Sequence, residues 1–162
     1  MKRILITATV LFLTMSLKGQ YTSTPVGRIA NQMFFSKQHS PVFEPGFKAY
    51  NPDKESIEKL KKEKKHLSFK CVLGFWCDDS KVHVPAFLKI MHTIGMDEEG
   101  YRMYGVDENK QAAFEGFNAL RIEYVPTIIV YYDKQEIGRW VESPTETVEK
   151  DLANILHRHL NK

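Results

Sequence analysis

Cysteine is scarce in this chain, with two in 162 residues, which excludes a scaffold stapled by several disulfides. The two are Cys71 and Cys77, and Cys71 falls inside an apolar run that reads as a strand. A bridge from a strand interior to that strand's own exit has poor geometry, so a permanent Cys71–Cys77 bond is not expected. No Cys/His spacing matches a metal site, and neither a metal nor a cofactor is expected. His83, His92, His157 and His159 are expected at surface or boundary positions. A glycine-rich phosphate loop, a dinucleotide fingerprint and a Ser-His-Asp arrangement are all missing. So is the Thr-x-x-Cys pattern that would preorganise a peroxide-reactive thiol.

An excess of one charge sign is also lacking. The chain has 23 Lys+Arg against 20 Asp+Glu. Lys2, Arg3 and Lys18 lie within residues 1–19, which hold no acid, so the remainder carries 20 of each sign. Nucleic-acid binding loses its electrostatic support. The lysines at 59, 61, 62, 64 and 65 alternate with Glu58 and Glu63 and read as the solvated face of a helix.

Long hydrophobic runs are few. Ile4 to Leu17 is apolar but broken by Thr7, Thr9, Thr14 and Ser16, too short and hydroxyl-rich for a membrane span. Behind Met1-Lys2-Arg3 and ahead of Lys18-Gly19-Gln20, it has the layout of a secretory signal peptide covering 1–19. Export to the periplasm or cell envelope is expected, with no stable membrane span after cleavage. No cysteine precedes Cys71, so lipid attachment at a processed N-terminal cysteine is excluded.

Residues 20–46 carry Pro25, Pro41, Pro45, Gly27 and Gly46 without a persistent period. They read as an extended leader, with Phe34, Phe35 and Phe43 available to pack on a domain spanning 47–162. Phe47–Tyr50 suggests a short strand. Asn51-Pro52 suggests a helix start, with Ile57 and Leu60 as its apolar stripe. Leu67–Trp76 reads as a buried strand. Val84, Phe87, Leu88, Met91 and Ile94 recur at helical spacing, with Pro85 bending the helix. Tyr101–Val106 reads as a strand and 112–120 as a short helix weakened by Gly116. Thr127–Tyr132 and Glu136–Val141 read as a hairpin, and Ser143-Pro144-Thr145 as the start of a final helix. The order β-α-β-α-β-α-β-β-α predicts an α/β fold: parallel crossovers first, then an antiparallel hairpin, in a mixed central sheet with helices on both faces.

That order resembles the thioredoxin-like proteins. Three features carry the resemblance. They are a strand followed by Trp76-Cys77-x-x, the segment Tyr124-Val125-Pro126-Thr127 ahead of a strand, and Pro85 eight residues after Cys77. The resemblance covers roughly 47–160 and is nearest to exported bacterial members whose site reads Trp-Cys-x-Asp-Ser. It implies a cis Val125–Pro126 bond beside Cys77. The Val125 backbone would then pair with an extended substrate peptide, and Trp76, Tyr124 and Val125 would form an apolar rim. Two departures stand out: Ser80 replaces the second active-site cysteine, and Cys71 replaces the buried acid that many relatives carry.

Cys77 would open a helix, where peptide dipoles favour a thiolate over a thiol. The Ser80 hydroxyl, one turn on, could add a donor to the sulfur, while Asp78 and Asp79 would oppose the negative charge. A moderately activated nucleophile is expected. It can form a mixed disulfide, but Ser80 cannot resolve one. Release must come from a thiol of the protein substrate, from a low-molecular-weight thiol, or from Cys71, which is otherwise a small core residue. Two functions are therefore expected: thiol–disulfide exchange of the monothiol reductase or isomerase type through Cys77, or a non-redox peptide-binding or chaperone-like module using the same groove.

Overall fold

The computed structural model describes residues 24–162; the expected signal peptide and the first four residues of the leader lie outside the described residues. Five strands form one sheet: β1 (Gly27–Ile29), β2 (Leu67–Leu73), β3 (Tyr101–Gly105), β4 (Thr127–Tyr132) and β5 (Gln135–Val141). Their spatial order is β1-β3-β2-β4-β5. The helices are α1 (Ser40–Ala49), α2 (Lys54–Lys62), α3 (Asp78–Ile94) and α4 (Val148–Leu160).

The mixed sheet follows the expected plan in its centre. β2 and β3 run parallel, joined by the α3 crossover, while β4 is antiparallel to both β2 and β5. The β4–β5 loop is two residues, Asp133 and Lys134, both with positive φ, as a type I′ hairpin turn requires.

The N-terminal part differs from expectation. The stretch read as an extended leader forms β1, a 3-10 turn at Asn31–Phe35 and most of α1. β1 is an edge strand and runs antiparallel to β3, so the parallel first crossover is absent. Phe47–Tyr50, read as a strand, is the end of α1. Burial of aromatic rings explains this. Phe34 and Phe43 are fully buried; their centroids are 5.1 Å apart, and Phe34 stacks on Phe75 at 5.5 Å. That burial, worth about 3–5 kcal/mol for each ring, outweighs the helix-breaking residues. Pro41 sits in the first turn, where it is tolerated. Gly46 lets α1 lie against Pro85 of α3, since a Cβ there would stand 3.0 Å from the Pro85 Cβ.

Smaller boundaries also shift. The cap of α2 falls at Asp53, two residues after the expected Asn51, because the Asp53 carboxylate accepts from Ser56 N at 2.9 Å and Ser56 Oγ at 2.8 Å. The expected 112–120 helix shrinks to a 3-10 turn at Asn118–Leu120. Gly116 there has φ +83°, and Phe114 packs on Tyr104 and Phe117. α4 begins at Val148, capped by Thr147.

Side-chain alternation along the strands divides the interior. Phe69, Cys71, Leu73, Met103, Ile128, Val130 and Trp140 face the helices and form the larger core with them. Val72, Tyr104, Val106 and Ile129 face the other way, under Phe117, Leu120 and Val125. Part of that second face is covered by the 107–126 segment, with its single 3-10 turn.

Candidate functional site

β2 ends at Leu73, and a turn closed by Cys77 N to Gly74 O at 3.0 Å delivers the chain to α3. Cys77 is the N-cap of that helix, in extended conformation and half-buried. Cysteine is not a usual capping residue, and its side chain makes no cap bond. The sulfur turns instead to the loop before β4, and its S–H donates to Val125 O at 3.3 Å.

That loop is fixed on both sides. The Val125–Pro126 peptide is cis. Thr127 Oγ1 donates to Tyr124 O at 2.7 Å, and Glu142 N donates to Pro126 O at 2.8 Å. Arg139 Nη1 donates to Leu120 O at 2.6 Å, holding the preceding turn to β5. Val125 is buried, whereas Tyr124 is 49% exposed, with the Lys110 ammonium over its ring. Trp76 forms the other wall. Its indole N–H donates to Val106 O at 3.1 Å, and the ring folds back over Gly74. A Cβ on Gly74 would stand 2.6 Å from the Trp76 ring, so glycine is required there. Trp76, Cys77, Val125 and Pro126 thus meet in one place.

Ser80 has a different contact from the one expected. It is fully buried, and its Oγ accepts from Gly74 N at 3.3 Å. The bond ties the turn to the first turn of α3. Among the described residues, no hydrogen bond from Ser80 reaches the sulfur.

Cys71 is also set apart. It is fully buried in the helix-side core, in register with Met103 and Ile128, and Cys77 packs against the core on the opposite face. Burial pushes the Cys71 thiol far up, so it stays protonated. Both cysteines are free.

The acids at the helix start are treated unequally. Lys81 Nζ donates to Asp78 Oδ1 at 2.7 Å and to Trp76 O at 3.2 Å. The Lys81 ammonium holds the Asp78 carboxyl below its ordinary range. It also sets a positive charge within the same turn as Cys77. Asp79 is exposed. Its charge opposes the burial that lowers the His83 pKa, and burial prevails.

Two site residues escaped the sequence reading. Lys81 was signalled by its i, i+3 spacing from Asp78. His39 gave no signal, because its segment was read as extended. Its ring lies 4.8 Å from Phe75, and burial lowers its pKa. With Val42, Phe75 and Trp76 it lines a recess of about 350 Å³ beside the site. Among the described residues there is no cluster of three or more potential metal ligands and no helix long and apolar enough to cross a membrane.

No protein-family model matches the chain, and no curated protein matches it. Solved structures do. A protein of unknown function from Pseudomonas aeruginosa aligns over 76% of this chain and 87% of its own, at 11% identity and a TM-score of 0.53. Thioredoxin 1 from Thermosipho africanus is 20% identical over 58% of this chain and 94% of its own, with a TM-score of 0.42. Thioredoxin O2 from Arabidopsis thaliana is 14% identical over 64% and 83%, with a TM-score of 0.40. The first of these likenesses speaks to fold alone. The parallel β2–α3–β3 unit, the antiparallel β4–β5 hairpin and α4 give the chain a thioredoxin-like fold.

Proposed function

We propose that the protein is exported and exchanges thiols and disulfides through Cys77. The observation that carries the reading is the Cys77 sulfur at a helix N-terminus, 3.3 Å from Val125 O. Peptide N–H groups at such a terminus favour negative charge, and the Val125 backbone offers partners for an extended peptide.

In the forward step the Cys77 thiolate attacks one sulfur of a substrate disulfide. One S–S bond forms, the old one breaks, and the other substrate sulfur leaves as thiolate. A second thiol must then attack the mixed disulfide and regenerate Cys77. Ser80 has no sulfur and Cys71 is sealed in the core, so that thiol comes from the substrate or from a small thiol. An isomerase or monothiol reductase fits this balance better than a dithiol reductase.

The exposed Tyr124 ring beside Val125 favours one alternative, a module that docks extended chains without redox chemistry. Substitution separates the two. Cys77→Ser is expected to abolish exchange with a small aromatic disulfide while leaving the fold intact. Unchanged exchange in that variant ends the enzymatic reading, and retained peptide binding then supports the docking module.

A further inference from the structure

The segment 107–126 shields only part of the second sheet face. Its residues Phe117, Leu120 and Val125 pack with Val72, Tyr104 and Ile129. Further along that face lies an open cleft of about 400 Å³, lined by Ser68, Lys70, Glu99, Arg102, Tyr131 and Lys134. Lys70 and Arg102 are register partners on adjacent strands, so their side chains leave the sheet side by side. Like charges in that relation are destabilising unless an anion lies between or above them. Lys134 enters from the hairpin turn, where its φ is +68°.

The cleft holds three cations and one carboxylate. Glu99 is engaged with Arg102 at 3.4 Å, and Lys70 and Lys134 have no carboxylate partner among the described residues. The surplus is local, because residues 20–162 carry equal numbers of basic and acidic groups. The Lys70 ammonium is held over the Tyr131 ring, 5.1 Å from its centroid, which fixes the stem and leaves its donors available. Burial and the Glu136 charge keep the Tyr131 hydroxyl protonated as a further donor, and Ser68 adds another hydroxyl. Nearby Arg139 is not part of the set, since its guanidinium is occupied by Glu136 and Leu120 O.

We propose that this cleft binds a small phosphate-bearing anion, gripped by Lys70, Arg102 and Lys134. Three cationic donors and two hydroxyls on a concave wall suit a tetrahedral, doubly charged oxyanion. The volume falls within the range of small-molecule sites, so the phosphate is one group of a larger ligand or one half of a pyrophosphate. The site lies on a different part of the sheet from Cys77 and does not depend on the redox reading.

The test is titration of the 15N-labelled full chain with inorganic phosphate and then pyrophosphate, at constant ionic strength. Saturable shifts are expected for the Lys70, Arg102 and Lys134 amides, with pyrophosphate binding more tightly. Lys134→Asn suits the positive φ and removes the ammonium with most of its stem; Lys70→Met removes the ammonium and keeps the stem over Tyr131. Each is expected to weaken binding about tenfold or more, as loss of one charge-assisted bond implies. Linear, unsaturated shifts, or saturable binding that both variants leave unchanged, would overturn the proposal. Because Lys134 is exposed in a turn, its variant gives an answer even if Lys70→Met folds poorly.

Discussion

At the residue scale the site depends on two short contacts, Cys77 Sγ to Val125 O and Ser80 Oγ to Gly74 N. The second explains why a serine occupies the position one turn after the reactive sulfur. A hydroxyl there satisfies a buried peptide N–H, at a value of about 1 kcal/mol, while giving up a resolving thiol. Ser80→Cys reverses that choice. The variant is expected to resolve its own mixed disulfides and to turn over with an external dithiol reductant, read as continuous reduction of a protein disulfide. Failure to gain turnover would mean that position 80 does not approach the sulfur closely enough for exchange. Sequence legibility is uneven at this scale. Trp76-Cys77 and Tyr124-Val125-Pro126 were readable because they are contiguous strings. The partner of the Ser80 hydroxyl was not, because it depends on how the Gly74–Cys77 turn closes.

At the element scale, α1, α2 and α4 are joined through one buried carboxylate. Glu149 Oε2 accepts from Tyr50 Oη at 2.6 Å, and Oε1 accepts from Asp53 N at 2.9 Å. Burial raises the Glu149 pKa, but these hydrogen bonds, with help from Thr147, prevail and hold it below its ordinary value. Tyr50 moves the other way, chiefly through burial, with Glu149 adding to the rise, so it remains a donor. A carboxyl whose folded pKa is depressed contributes stability that is present above its unfolded pKa of about 4.3 and is lost as pH falls through the folded value. Urea midpoints measured from pH 6 down to pH 3 should therefore fall for the wild-type chain. They should fall less for Glu149→Gln, which starts lower at neutral pH by about 1–3 kcal/mol. Parallel curves for the two proteins would remove Glu149 from this role. The sequence reading did not contain this contact, since it placed Tyr50 in a strand and gave Glu149 no role.

At the scale of the whole molecule, the sheet centre was legible and its N-terminal edge was not. β4 was read to its exact residues, and β2, β3 and α3 were read nearly so, because each carries a strong apolar period within its own segment. The 24–49 segment has no such period. Its order comes from Phe34 and Phe43 meeting Phe75, a contact between distant stretches that no local window contains. The segment is therefore an integral part of the fold. Phe34→Ala is expected to cost about 3–5 kcal/mol and to lower the urea midpoint of a single transition monitored across the entire chain. A change under about 1 kcal/mol would mean the segment is peripheral.

The central claim concerns which sulfur reacts. Reduced protein mixed with a peptide disulfide, quenched with acid and mapped by mass spectrometry reports this directly. The account predicts a mixed disulfide at Cys77 and none at the buried Cys71. An adduct shared between the two, or confined to Cys71, would contradict it.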